Sequence, residues 1–254
     1  MKLSTRATCA FVLWLTSATT SYAADGAELN ILGFSADKHY FAFEQFGIQD
    51  GSGFAYSDIF VIDLKRDQWL PQSPIHVQAK DEGQAIDAIR KQSALKYQPL
   101  EKAYAISMPP QLLARNAATE VIEDRKTIAF DRWYLSSQFG STPQASAGLQ
   151  EIRYQLTLSE KPLPRPQNCP EDMGDFTGFT LNLQRAQPQT DRTVFADASL
   201  PSSRGCPLGY DIEAVVGGFG DKATDQLVAI VGVYSLGFEG KDLRYIAVPF
   251  TLSK

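Results

Sequence analysis

The stretch EQFGIQDGSGFAYSDIFVIDL, residues 44–64, contains two apolar segments that flank the loop Asp50-Gly51-Ser52-Gly53. The second segment, DIFVIDL, is apolar in both alternating registers, with Ile59 and Val61 on one face and Phe60 and Ile62 on the other. A strand with this pattern is expected to be covered on both sides. Glycine and aspartate are the residues that a tight turn needs, so the loop is predicted to be the tip of a structural hairpin.

Similar strand patterns recur along the rest of the chain. Apolar and polar residues alternate over residues 152–158 and again over 179–183. Residues 226–238 and 243–252 are apolar in both registers and are predicted to pair as a C-terminal hairpin in the core. Pro249 cannot donate a hydrogen bond to a neighbouring strand, so it is expected at a strand edge, a bulge or a strand end.

One segment has the periodicity of a helix instead. Residues 81–97 begin with a capping-box arrangement of Asp81 and Gln84 and continue with a narrow stripe formed by Ala85, Ile86, Ile89, Gln92 and Leu95. The helix is expected to lie on the surface, against the sheet, and to stop at Pro99. A second, short helix is predicted around residues 111–116, after two prolines.

Together these patterns predict a mainly β fold with one amphipathic surface helix near residues 81–97. About ten strands are expected, arranged as a sandwich, a barrel or a propeller-like sheet. The segment 140–148 is rich in Ser, Thr, Ala and Gln, and the segment 161–170 is rich in proline. Both are expected to be loops that bracket a strand, without separating two domains.

Residues 1–23 have the features of a secretory signal: a basic start, a short apolar run and the small-x-small cleavage site Ser21-Tyr22-Ala23. The mature chain is therefore expected to begin at Ala24, and residues 24–254 are expected to form a single β-rich secreted domain. The apolar run is shorter than the about 20 residues that a membrane-spanning helix needs. The predicted localisation is periplasmic or secreted, with no membrane span after cleavage.

The charge balance of the chain excludes one class of partner. Residues 1–23 contain two of the 24 basic residues and none of the 29 acidic residues, so their removal changes the net charge from −5 to −7. Surfaces that bind nucleic acids or anionic membranes need clustered Lys and Arg. No nucleic-acid partner is therefore expected.

Cys169 and Cys206 are the cysteines that remain after the signal segment is removed. In an oxidising compartment such a pair is most simply a disulfide, and closing the loop between them would contribute roughly 4 kcal/mol in the chain-entropy model, as an upper figure. A metal or redox pair is less favoured, because the chain has neither a CxxC motif nor a histidine near either cysteine.

The opening region also carries two resemblances. The segment FSADKHYFAF and the later DIFVIDL are similar to the blade motif of TolB-type periplasmic propellers, although Lys38 stands where that motif prefers Gly. A propeller needs several such blades, and the chain offers one clear candidate.

A closer resemblance covers nearly the whole mature length. It rests on the Gly-Phe-Ser-x-Asp start at 33–37, the aromatic-Ala-Phe-Glu strand at 41–44, the loop at 49–53 and the apolar strand at 59–63. In these motifs the sequence resembles a bacterial family described as predicted secreted proteins, domain of unknown function 2259. The resemblance implies export and a shared fold, and it brings no catalytic residues with it.

The opening loop offers oxygen atoms from Asp50 and Asp58 that could hold Ca²⁺. The spacing does not match an EF-hand, because Phe54 and Val61 occupy positions five and twelve of the loop, where oxygen ligands are required. Phosphate-binding loops and the Gly-x-Ser-x-Gly elbow are missing from the sequence, and the two histidines do not form a metal-like pair. No metal and no cofactor are therefore predicted.

Aromatic side chains beside the loop are the remaining candidates for recognition. Phe54 and Tyr56 are predicted to contact an envelope protein or a glycan if they lie on an exposed loop. Asp50 and Asp58 complete this set of candidate binding residues.

The predicted function is that of a non-enzymatic binding or interaction module of the bacterial cell envelope. One alternative is a carboxylate-dependent envelope hydrolase that acts on glycans, which requires two carboxyl groups facing each other in a cleft. Another is a carrier of small apolar ligands, which requires a closed apolar cavity. The sequence favours a protein without enzymatic activity but leaves this question open.

Overall fold

The computed structural model describes residues 25–116, 120–135, 149–171, 176–218, 226–238 and 240–252. The signal segment predicted for residues 1–23 lies outside these residues. The described chain contains 14 strands and one α-helix, so the fold is mainly β as predicted and has more strands than expected.

The strands form three antiparallel sheets. Sheet I consists of β1 (Glu28–Ser35), β2 (Tyr40–Ile48), β3 (Ala55–Asp63), β4 (Gln68–Trp69), β5 (Ile75–Gln78) and β6 (Ile106–Met108). Sheet II consists of β7 (Pro110–Arg115), β12 (Pro207–Gly218), β13 (Gln226–Leu236) and β14 (Lys241–Thr251). Sheet III consists of β8 (Thr127–Leu135), β9 (Leu149–Leu163), β10 (Phe176–Arg185) and β11 (Thr190–Ala196).

Sheet II lies between the other two sheets. On β13, Val228 and Ile230 pack against sheet I, whereas Leu227, Ala229 and Val231 pack against sheet III. Because successive side chains of a strand point to opposite faces, a strand with apolar neighbours on both sides must be apolar in both registers. The three open sheets therefore stack as a sandwich, and the propeller resemblance is not supported.

The opening stretch forms the predicted hairpin. Strands β2 and β3 pair along their whole length, from Tyr40 opposite Asp63 to Ile48 opposite Ala55. The tip is closed by the bond from the Gln49 N–H to the Phe54 carbonyl, at 2.9 Å. Strand β3 is covered on both faces, with Ile59 and Val61 towards the helix and Phe60 and Ile62 towards sheet II.

Helix α1 (Ile86–Ala103) covers the face of sheet I that points away from sheet II. Its bounds differ from those predicted, because Pro99 lies inside the helix and the Asp81 and Gln84 side chains bond to the backbone of the turn before it. The predicted stripe is confirmed in part, because Ile89 is buried and Ile86 packs against the same cluster, whereas Leu95 is exposed. The buried residues of the helix are Ile89, Ser93, Tyr97 and Leu100.

The short helix predicted around residues 111–116 is wrong as well. These residues belong to strand β7, which pairs with β12 at the edge of sheet II. A long-range pairing overrides the local signal here, since Leu112 lies opposite Val216, more than 100 positions away in the sequence.

The C-terminal hairpin and the disulfide agree with the predictions. Strands β13 and β14 pair without interruption from Gln226 to Leu236. Pro249 lies on β14, the edge strand of sheet II. Cys169 and Cys206 form a disulfide with a Cα separation of 5.7 Å.

Candidate functional site

The four candidate binding residues do not form one site. Phe54 is half-buried at the end of the loop and packs against the small apolar cluster under the start of helix α1. Tyr56 points into the interior between sheets I and II and has 2% of its surface exposed. It is therefore not a surface anchor, and the two aromatic residues lie in different environments.

Tyr56 belongs to a buried polar network. Its hydroxyl donates to Asp25 Oδ1 at 3.2 Å, and the Arg244 guanidinium lies over its ring at 4.6 Å from the centroid. Arg244 also forms an ion pair with Asp25 at 2.5 Å. Burial raises the pKa of the Tyr56 hydroxyl, so this side chain stays protonated and donates to Asp25. The ion pair of Asp25 with Arg244 holds the N-terminal segment against β14.

Asp50 lies at a different surface, where two hairpin ends meet. The ring of Phe238, in the turn between β13 and β14, lies against Gly51, where an added Cβ would be 3.4 Å from it. Ile48, Leu236 and Phe238 are 58%, 60% and 77% exposed. We refer to Ile48, Asp50, Leu236, Phe238 and Asp242 as the tip surface.

The tip surface includes the carboxyl groups of Asp50 and Asp242, and the exposed Lys241 lies opposite Leu236 in the same hairpin. Burial raises the pKa of the Asp242 carboxyl, and repulsion from Asp25 and Asp50 raises it further. In the described part of the chain, no group of three or more His, Cys, Asp or Glu side chains is arranged to hold a metal ion. The tip surface thus combines exposed apolar side chains with close carboxylates.

Asp58 lies on β3 and faces a cleft beside β14. Its carboxylate accepts a hydrogen bond from Gln45 Nε2 at 3.4 Å and contacts the Nδ1 atom of His76. Gln45 is fixed in turn, because its Oε1 atom accepts the Tyr245 backbone N–H at 2.8 Å. The side chains of Asp58 and His76 are therefore held in place by the edge of sheet II.

Two adjoining clefts run along β14, and we call them together the β14 cleft. One has a volume of about 470 Å³ and lies on the side of sheet I. The other has a volume of about 480 Å³ and lies on the side of sheet III. They share a boundary formed by Trp69, Ser203, Arg204 and Ile246.

Trp69 stands on the boundary between the two clefts. It belongs to β4, the two-residue strand at the edge of sheet I, and its ring packs on Phe60 with 5.5 Å between centroids. The two ring planes are inclined at 55°, and Trp69 is 42% exposed. An indole that is partly exposed and packs against a second ring offers apolar surface to a ligand.

Arg204 closes the boundary from the side of sheet III. It donates to the Asp197 carboxylate at 2.5 Å and lies over the ring of Phe179 at 5.1 Å from the centroid. Asp197 also accepts the Phe179 backbone N–H at 2.9 Å. The Asp197 carboxylate therefore has a structural role, because its hydrogen bonds and its ion pair with Arg204 hold it in place. Asp67 lines the same cleft.

The sequence patterns do not single out Trp69 and His76, which line the β14 cleft, or Phe238, which is exposed at the tip surface. A signal for Trp69 was present, since it stands in the polar segment Lys65-Arg66-Asp67-Gln68 followed by Leu70-Pro71, without the alternation of a buried strand. The role of His76 depends on pairing between β3 and β5. That pairing has no local sequence signal.

In the described residues, no helix has the length and apolar character needed to cross a membrane. No curated protein and no solved structure matches the chain. The profile of a family described as predicted secreted protein (DUF2259) matches residues 42–251, which include nearly all of the three sheets. That description agrees with the predicted periplasmic or secreted localisation, and the chain belongs to the DUF2259 family of predicted secreted proteins.

Proposed function

We propose that this protein is an exported, non-enzymatic binding module of the cell envelope and that it docks a partner protein through the tip surface. The observation that carries the proposal is the exposure of three large apolar side chains, those of Ile48, Leu236 and Phe238, on two hairpin ends in contact. Grouped apolar side chains at the surface are typical of interaction sites. Aromatic anchors supply much of the binding energy of many interfaces.

The charges around the tip surface indicate the chemistry of the partner. Asp50 and Asp242 are close enough to repel each other and outnumber Lys241 at this surface, and the chain carries a net negative charge. A protein with an apolar contact surrounded by Lys or Arg would match this pattern. An anionic membrane surface would be repelled by it.

Site-specific photocrosslinking in the producing cell tests this proposal. With a photoreactive phenylalanine analogue in place of Phe238, we expect covalent adducts with an envelope protein. The same analogue at Leu95 is the matched control, because Leu95 is 56% exposed on helix α1 and Ile48 is 58% exposed at the tip. We expect no adduct at Leu95.

A second variant makes the test specific to the surface. Ile48→Asp places a charge among the apolar side chains and should reduce the adduct yield at Phe238 at least fivefold, whereas Leu95→Asp should not change it. The proposal is refuted if Phe238 gives no adduct, if Leu95 gives the same adducts, or if Ile48→Asp leaves the yield unchanged.

A further inference from the structure

We propose that the β14 cleft binds an uncharged glycan chain, with Trp69 as the platform on which one sugar ring stacks. The volumes of the two adjoining clefts, about 470 and 480 Å³, fall within the range of small-ligand sites. The β14 cleft is distinct from the tip surface, so this proposal and the proposed function can fail independently.

Trp69 lies where a sugar ring could stack between the two clefts. The C–H face of a pyranose ring is apolar and pairs well with the face of an indole. Trp69 packs against Phe60 and stands between the two clefts. A chain of sugars that stacks one ring on Trp69 would place the preceding ring in one cleft and the following ring in the other.

The polar groups of the cleft also support a glycan ligand. Sugar hydroxyls need planar donors and acceptors held in fixed positions, because mobile side chains lose conformational entropy on binding. Asp58 is held by Gln45 and His76, and the His76 contact through Nδ1 leaves Nε2 for a ligand hydroxyl. Arg204 is held in the same way by Asp197.

The edge of β14 argues against an extended peptide as the ligand. Peptides commonly bind a sheet edge by backbone hydrogen bonds. Along the outer edge of β14, Leu243 already bonds to Asp25 and Ala27 through its backbone, and the Tyr245 N–H is bound by Gln45. Further along, Pro249 has no N–H and the Thr251 carbonyl accepts from Arg192. Ala247 is the one outward position between Tyr245 and Pro249, which is too little for strand addition.

The charges of the cleft select the class of glycan. Arg204 and Arg244 line it, but each forms an ion pair, with Asp197 and Asp25 respectively. The carboxylates of Asp58 and Asp67 also line the cleft. A sulfated, phosphorylated or uronic glycan would be repelled by this surface, whereas neutral hexose or N-acetylhexosamine chains would not.

Tryptophan fluorescence provides a direct test. The sequence has three tryptophans, of which Trp14 lies in the segment expected to be removed. In a mature Trp133→Phe variant, Trp69 is then the sole reporter. We expect a saturable change in its emission with at least one of three neutral tetrasaccharides: chitotetraose, cellotetraose or maltotetraose. The single sugars N-acetylglucosamine and glucose should bind at least tenfold more weakly.

Trp133 supplies the matched control, because it is also exposed, at 55%, and lies on β8 outside the cleft. In a Trp69→Phe variant, the emission of Trp133 should not respond to the sugar. Asp58→Asn and His76→Ala in the Trp133→Phe protein should each weaken binding about tenfold, which corresponds to about 1.4 kcal/mol. The melting temperature of each variant checks its folding. The proposal is overturned if none of the three tetrasaccharides gives a saturable change at 10 mM, or if Trp133 reports the same change without Trp69.

Discussion

At the scale of single residues, position in the strand decides which side chains are available to a partner. Tyr56, Asp58, Phe60 and Ile62 all point from β3 towards sheet II, because alternate residues share a face. Tyr56 lies deep in that interface, whereas Asp58 reaches the β14 cleft at its border. Two residues that are both near the opening loop in the sequence therefore lie in different environments.

Truncation of Tyr56 should affect stability far more than truncation of Phe54. Tyr56→Ala removes a fully buried ring and should cost about 3–5 kcal/mol, while Phe54→Ala should cost about 1–2 kcal/mol because Phe54 is half-buried. Tyr56→Phe is the control, since it removes only the bond to Asp25 and should cost about 1 kcal/mol. Urea unfolding measures all three. Equal losses for Tyr56→Ala and Phe54→Ala would contradict this assignment.

A buried carboxylate connects helix α1 to sheet I. Glu44 accepts hydrogen bonds from Arg90 at 3.0 and 2.8 Å, from Ser57 at 2.9 Å and from Asn30 at 2.9 Å. Burial alone would raise the pKa of Glu44, but these hydrogen bonds and the charge of Arg90 outweigh it, so that the pKa is lowered. Folding is therefore coupled to the ionisation of this group.

The lowered pKa predicts a loss of stability in acid. The unfolded carboxyl, with a pKa of about 4.3, binds a proton more readily than the folded one. The stabilisation is therefore complete above that pH and decreases as the pH falls through the lower folded pKa. Between pH 7 and pH 3, the free energy of unfolding should fall more steeply in the native protein than in Glu44→Gln. Parallel curves in urea unfolding at each pH would exclude Glu44 as the source.

At the scale of elements, the existence of the helix and of the two apolar hairpins could be predicted from the sequence, but the buried face of the helix only in part. That face contains Ser93, whose hydroxyl lies 2.6 Å from that of Ser57 on β3. Apolar periodicity does not identify Ser93 as buried, because serine is polar, and it wrongly places the exposed Leu95 on the buried face. The contact of Ser93 with Ser57 forms only when the helix packs on sheet I, so no local sequence pattern predicts it.

Helix α1 should become more stable when its internal proline is removed. Pro99 is exposed and cannot donate to the carbonyl of Leu95, and proline inside a helix is about 3 kcal/mol less favourable than alanine. Pro99→Ala should therefore raise the free energy of unfolding by about 1–3 kcal/mol, since no buried contact is lost. Lys96→Ala, at another exposed position of the helix, should change it by less than about 0.5 kcal/mol. A lower stability for Pro99→Ala would mean that the helix is built around the proline.

Pro249 should add to the protection that residues 25–27 and Gln45 give to the edge of β14. Pro249→Val adds a backbone N–H at an outward-facing position, and exposed edge strands with free N–H groups promote association between chains. We expect this variant to form dimers or larger species at concentrations where the native protein is monodisperse, measured by light scattering. Val248→Ile, on the same strand but at a buried position, is the control. An unchanged size distribution for Pro249→Val would show that Gln45 and the N-terminal segment protect the edge without the proline.

At the scale of the whole molecule, the two-sided apolar strands predicted a buried sheet, but not which sheets would cover it. The β14 cleft depends on that arrangement, because it brings together Trp69 of sheet I, Ile246 of sheet II and Arg204 of the loop after sheet III. These residues are far apart in the sequence, and their contact follows only from the stacking of the three sheets. Residues placed at such borders between sheets are not marked by a local sequence pattern, whereas the core strands are marked by their apolar pattern.

The disulfide is the covalent link that supports this arrangement. Cys169 follows β9 and Cys206 precedes β12, so the bond closes the excursion that contains β10, β11 and the loop with Arg204. The Gly205 carbonyl, next to Arg204, lies 3.8 Å from the sulfur of Cys169. Reduction should therefore loosen the sheet III side of the β14 cleft in the folded protein. It should also remove the constraint that the disulfide places on the unfolded chain.

Reduction should lower the free energy of unfolding by roughly 2–4 kcal/mol, because a long loop is no longer constrained in the unfolded chain. Urea unfolding with and without dithiothreitol measures the loss, and thiol titration verifies that both cysteines are reduced. The double variant Cys169→Ala/Cys206→Ala should be insensitive to dithiothreitol and as stable as the reduced native protein to within about 1 kcal/mol. If full reduction leaves the native unfolding midpoint in place, the stacking of the three sheets alone holds the Arg204 loop, and the disulfide contributes nothing to the stability of the fold.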